Sequence, residues 1–172
     1  MIEILCKRRS IRKYQQTAID SQALEVIKEA LLRSPSSRGV NPWTFIFVDQ
    51  KELLRSLSQA KEQGAQFLKD AALAIVVCGD ETKSDVWIED CSIASIIVQL
   101  IAESLGLGSC WCQIRSRSHS KEKTAEKYLQ EVLNIPPHVR VLSIVSIGVP
   151  AETKTPVPAE QLDYTKIHYN GY

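Results

Sequence analysis

Apolar positions recur along this chain at two spacings, and the switches between them lay out its elements. Leu24, Ile27 and Leu31 fall on one helical face with Val26 and Ala30 beside it, which predicts a helix capped by Asp20 or Ser21 and running to about Arg33. Leu53, Leu54, Leu57 and Ala60 make a second amphipathic helix over 51–64, followed by a helical turn around Phe67 and Leu68. The longest helical pattern, 85–105, carries Ile88, Ile93, Ile96, Ile97, Val98, Leu100 and Ile101 on more than one side. Such a helix must be buried centrally or against a partner chain. Gly106-Leu107-Gly108 closes it, and a further helix begins near Ser120, uses Ala125, Tyr128, Leu129 and Val132, and stops at Pro136-Pro137. Strand patterns lie between: the aromatic and β-branched run 43–48, the continuous apolar run 71–78 that suits burial on both faces, then 109–114 and 139–148. Residues 34–42 hold two prolines and a glycine and read as a loop. Beyond Gly148 the prolines at 150, 156 and 158 suit an extended C-terminal arm over 150–172, whose aromatic end is expected to dock on something. Helices and strands alternate unevenly, which predicts one α+β or mixed-sheet α/β domain spanning 1–172.

Composition changes this picture at one place. Lys and Arg total 21 against 20 Asp and Glu, so the chain is nearly neutral, yet five cations and a hydroxyl crowd into Lys7-Arg8-Arg9-Ser10-Ile11-Arg12-Lys13-Tyr14. A nucleic-acid surface spreads its charge over a face, whereas a single phosphate needs two or three donors held together, and Arg-x-Ser supplies a forked guanidinium and a hydroxyl. A solvated basic turn after a short helix is the plainer alternative. The N-terminus lacks the apolar stretch of a signal peptide, and Glu89, Asp90, Gln99 and Glu103 argue against a membrane span by the long helix, so a cytoplasmic protein is expected. Five scattered cysteines suit reduced, buried thiols, and no ligand spacing accompanies Cys110-Trp111-Cys112, so no metal is expected. Neither Gly-x-Gly-x-x-Gly nor a P-loop is present, so a bound phosphate is expected on side chains.

The basic run, the Ser34-Pro35-Ser36-Ser37 loop before Pro42-Trp43, the Gly106-Leu107-Gly108-Ser109-Cys110-Trp111 turn and the Gly148-x-Pro150-x-Glu152-x-Lys154 segment stand in an order that resembles the nitroreductase family of FMN-dependent oxidoreductases. The resemblance covers nearly the whole chain and implies an α+β nitroreductase-like mixed sheet flanked by helices, in a homodimer with two flavin sites at the subunit interface. It implies that Arg8, Arg9 and Ser10 hold the FMN phosphate and ribityl chain, and that Arg12 stands beside flavin N1 and C2, where a cation favours the reduced state. By the same resemblance Pro35, Ser36, Ser37 and Asn41 are expected to belong to a loop that reaches the flavin from the partner chain, with Gly39 where the family often has Asn and Asn41 where it often has Gln. The resemblance also implies that Trp111 to Ile114 passes the flavin N5 side, with the N–H of Gln113 or Ile114 aimed at N5, and that Lys154 completes the phosphate site. Gln63, Gln66 and Lys69 are candidates for a further polar pair.

The resemblance implies hydride transfer from NADH or NADPH through flavin N5 to a quinone, nitroaromatic or similar acceptor, with no side chain as nucleophile, acid or base. His119, His138 and His168 are isolated and have no nucleophile at a spacing that would pair with them. Two alternatives keep the cofactor or abandon it. One is a flavin-binding protein with specialised, dehalogenase-like chemistry, or one that stores or senses FMN. The other is a module that binds an acidic partner through residues 7–13.

Overall fold

The computed structural model describes residues 1–172 and contains four strands and five α-helices. Helix α1 (Ile2–Lys7) leads into the basic segment, and α2 (Ser21–Leu32) is capped by Asp20, whose carboxylate accepts from the N–H groups of Gln22 and Ala23. Strand β1 (Trp43–Val48) is followed by α3 (Lys51–Leu57), β2 (Leu73–Asp80), α4 (Trp87–Ser104), β3 (Gly108–Gln113), α5 (Ala125–Leu133) and β4 (Val139–Gly148). The sheet has the order β1-β2-β4-β3, and each neighbouring pair is antiparallel. Its parallel component is a single bridge between Ser10 and Ser109, so the expected mixed sheet is antiparallel in all four strands.

Every residue of β2 is buried, and the period of two divides it between two cores. Ala74, Val76 and Cys78 join Leu54, Leu57, Leu129 and Ile144 under α3 and α5. Leu73, Ile75 and Val77 face Ile27, Leu31, Ala94, Val98 and Val145 under α2 and α4. That is why its apolar run is continuous rather than alternating.

Two helices are shorter than their apolar periodicity suggests. Helix α3 ends at Leu57 instead of 64, because Ser58 Oγ donates to Arg55 O (2.7 Å) and the next amides, Gln59 to Ser56 O (3.0 Å) and Ala60 to Leu57 O (3.1 Å), tighten into i→i+3 turns. Helix α5 starts at Ala125 instead of near Ser120, with Thr124 Oγ1 accepting the Lys127 N–H at 3.1 Å. The arm lies along the basic segment as far as residue 155; beyond it Val157 and Leu162 border a groove with Ile2 and Leu5 of α1, and Leu162, Tyr164, Ile167, Tyr169 and Tyr172 are all exposed. No helix is long and apolar enough to cross a membrane.

Candidate functional site

The basic segment forms the open border of β3, held there by backbone bonds to two partners. Ile11 N–H donates to Ser109 O (2.9 Å), Gln15 N–H to Val149 O (2.9 Å), and Ala151 N–H to Lys13 O (2.9 Å). Close approach needs glycine at two points, since a Cβ on Gly108 would lie 2.8 Å from Ile11 and one on Gly148 would lie 2.9 Å from the Tyr14 ring. The Tyr14 hydroxyl is buried, donates to Ile11 O (2.6 Å) and stands 2.6 Å from Ser146 Oγ; burial pushes its pKa up, so it stays a neutral phenol.

Segment and arm bring Arg8, Arg9, Ser10, Arg12 and Lys154 together. Lys154 Nζ donates to Ser10 O (2.6 Å), and an Arg9 guanidinium N–H donates to Thr155 O. Arg12 lays its guanidinium 5.8 Å from the centroid of the Phe67 ring. Half-buried Arg8 has no carboxylate within ion-pair distance, and neither has Arg12. Glu152 orders the cluster: one carboxylate oxygen accepts the N–H groups of Arg12 (2.6 Å) and Lys13 (3.2 Å), and Lys154 stands 3.7 Å away. The Arg12 N–H bond above all, against the opposing effect of burial, and then the Lys154 charge hold its pKa below the ordinary carboxylate value. The motif that marks Lys154 contains Glu152 as well, but nothing in the sequence gives that carboxylate a role. Cys110 lies behind the cluster, its thiol pKa raised by burial against the pull of Arg12, Ser10, Lys154 and Arg8.

Register decides which N–H groups of β3 face this border. Ile114 N–H donates to Leu142 O at 3.2 Å, so it belongs to the ladder with β4. Alternate residues of an antiparallel strand turn both N–H and C=O to opposite sides, and Ser109 O already faces the border. Trp111 and Gln113 therefore turn their backbone groups to the border as well. The two side chains brace one another, Trp111 Nε1 donating to Gln113 Oε1 (2.9 Å) and Gln113 Nε2 to Arg115 O (2.9 Å).

The loop with Pro35, Ser36, Ser37 and Asn41 is elsewhere. It enters β1, which is three strand steps from β3, about 14 Å at the usual interstrand spacing. It also lies toward the opposite end of the sheet from Ser109, since Trp43 pairs with Gly79 and Ser109 with Ile147. The loop is built to hold its shape: Ser36 Oγ donates to Asn41 Oδ1 (2.7 Å) and accepts from Asn41 N–H (2.8 Å), while Ser37 N–H donates to the buried carboxylate of Asp90 (2.8 Å). Gly39 (φ 66°) and Asn41 (φ 51°) both sit in the left-handed region, which glycine enters freely and asparagine more readily than glutamine. Backbone conformation thus favours Asn over Gln at 41 and is compatible with Gly at 39. One chain does not bring this loop to the basic cluster.

Comparison with known proteins gives a consistent result. The model of the nitroreductase family matches residues 5–72 and 59–149. A solved structure described as an FMN-dependent nitroreductase of Clostridium difficile R20291 is 47% identical and superposes with a TM-score of 0.98 over 100% of both chains. A protein of Archaeoglobus fulgidus, provisionally named an NADH dehydrogenase/NAD(P)H nitroreductase, is 38% identical over 157 residues, covering 89% of this chain and 87% of its own. A Bacillus subtilis FMN reductase [NAD(P)H] is 25% identical over 193 residues, covering 99% of this chain and 75% of its own.

Proposed function

The chain belongs to the nitroreductase family, and on that footing we propose that it is an FMN-dependent NAD(P)H oxidoreductase whose two flavin sites are each shared by two copies of the chain. The observation that carries the reading is the cationic border of β3, where the guanidinium groups of Arg8 and Arg12 have no carboxylate partner. These residues fit the cofactor: a phosphate suits Arg8, Ser10 and Lys154, with Arg9 tying the arm in place behind them. Arg12, held by Phe67 and by its own N–H to Glu152, suits the pyrimidine side of the ring system. Gln113 is assigned the N–H at flavin N5, because the Ile114 N–H is spent on Leu142.

When bound, FMN supplies two-electron transfer from a nicotinamide donor to an electron-poor acceptor such as a quinone or nitro compound. The chain's own residues bind and orient it, and none serves as acid, base or nucleophile. Pro35, Ser36, Ser37 and Asn41 are assigned to the site of the other copy, because they lie too far from the cluster of their own chain. Exposed Ile93 and Ile96 on α4, Ile2 and Leu5 on α1, and the exposed apolar side chains of the arm offer apolar surface for that pairing.

The test is an anaerobic absorbance titration of the FMN-reconstituted protein with NADH and with NADPH. The bound flavin band is expected to bleach and to return on addition of a quinone or nitro compound. A flavin that dithionite bleaches and neither nucleotide does would replace the reductase with a storage or specialised role.

A further inference from the structure

We infer that the phosphates of the nicotinamide donor are held by a cationic groove between residues 55–69 and 115–119, next to the flavin border, an assignment that rests on the reductase reading. Two open grooves of about 520 and 460 Å³ adjoin there and share Lys61 and Glu62 in their walls. Together they are lined by Arg55, Lys61, Lys69 and Arg117 against one carboxylate, Glu62, and by no apolar side chain. Arg55 pairs outward with Glu52 (3.4 Å), whereas Lys61, Lys69 and Arg117 are in no ion pair. Four cations against one carboxylate, three of them in no ion pair, around a polar concavity suit a polyanion.

The groove is formed before any ligand arrives. Glu62 N–H donates to Ser118 O (3.3 Å), His119 Nδ1 lies 2.9 Å from Gln59 O, and the His119 ring stacks on Tyr128 with centroids 4.1 Å apart. It is also continuous with the flavin border. Lys61 lies beside Cys112, the neighbour of Gln113, and its charge pulls the thiol back from the rise that burial imposes, to about 11. Phe67, between Gln66 and Lys69, carries Arg12. A donor with its nicotinamide over the flavin would extend its diphosphate and adenosine end along this wall.

The experiment uses the FMN-loaded protein and the Lys61→Gln/Arg117→Gln double variant, whose flavin content is first checked by absorbance. Calorimetry measures binding of adenosine 2′,5′-bisphosphate, and steady-state assays compare NADPH, NADH and N-benzyl-1,4-dihydronicotinamide, a donor without phosphate. The double variant is expected to weaken bisphosphate binding and raise the KM for NADPH, each about tenfold or more as charge-assisted contacts are lost, with the rate from the benzyl donor unchanged. A rise confined to NADPH identifies the 2′-phosphate as the group held, and an equal rise for NADH identifies the diphosphate. Bisphosphate affinity and both KM values unchanged within about twofold would overturn the groove while leaving the reductase intact. A flavin that none of the three donors reduces would overturn the reductase reading and this inference with it.

Discussion

Arg8 and Arg9 are adjacent, yet their side chains have different partners. Arg9 is engaged with Thr155 O of the arm, and Arg8 has no carboxylate near it. Arg8→Ala is therefore expected to cost FMN a charge-assisted contact of about 1.5–3 kcal/mol, a rise in Kd of roughly 10- to 150-fold by fluorescence titration. Arg9→Ala should weaken FMN less and instead expose residues 155–172 to limited proteolysis; equal effects of the two variants on Kd would contradict this division. Glu152 gives the cluster its pH dependence. Its folded pKa lies below the unfolded value, so its stabilisation is complete above the ordinary Glu range near about 4.3 and is lost as pH falls through the folded value. Hydrogen exchange of the Arg12 and Lys13 amides should accelerate beyond the intrinsic trend as pH falls below the ordinary Glu range, and Glu152→Gln should lack that transition. Glu152 itself was in plain view in the sequence, but nothing there says that its carboxylate faces two amides 139 and 140 residues away.

The elements owe their stability to contacts that join them in pairs, and α5 with β4 is the clearest case. Glu126 accepts from Arg140 Nε (3.0 Å) and Nη2 (2.6 Å) and from Val141 N–H (2.8 Å), while Arg140 Nη1 reaches Glu81 at 2.9 Å. Glu126→Ala leaves Nε and Nη2 of half-buried Arg140 and the Val141 amide without their acceptor, with Glu81 still on Nη1, and should lower stability by about 1–3 kcal/mol in chemical denaturation. Glu131→Ala, which loses a more exposed ion pair with Lys123, should cost less than Glu126→Ala does. Four strand positions and the buried helix α4 were legible because period and composition are local properties. The ends of α3 and the start of α5 were not, since Ser58 and Thr124 end or begin those helices by bonds that compete with a continuing apolar rhythm. Strand direction was hidden for a different reason: pairing is long-range, and an unevenly alternating chain permits mixed and antiparallel sheets alike.

At the scale of the whole molecule, the loop of Pro35 to Asn41 and the basic cluster stand apart in one chain, and the proposed flavin site calls for both. The basic cluster and Lys154 were legible as a group because two motifs carry them, and the structure brings them together. The loop with Pro35 to Asn41 was legible as a motif, but its separation from the cluster follows only from strand order. The apolar side chains left exposed on α4 give the pairing a further test. Ile96, 40% exposed on α4, becomes costly if replaced by a charge at an interface, so Ile96→Glu should yield a monomer by sedimentation that no longer retains FMN. A monomer that still retains FMN would contradict a shared site.

A mixed dimer tests that claim most directly. Copies carrying Arg8→Ala/Arg12→Ala and copies carrying Pro35→Trp, which sets an indole in the loop at an exposed position, are co-expressed with different tags, and the heterodimer is isolated. Neither homodimer should retain FMN through gel filtration. The heterodimer should retain one FMN per dimer, because one of its two sites pairs an intact basic cluster with an intact loop from the other copy. A heterodimer as empty as its parents would mean that each site lies within a single chain.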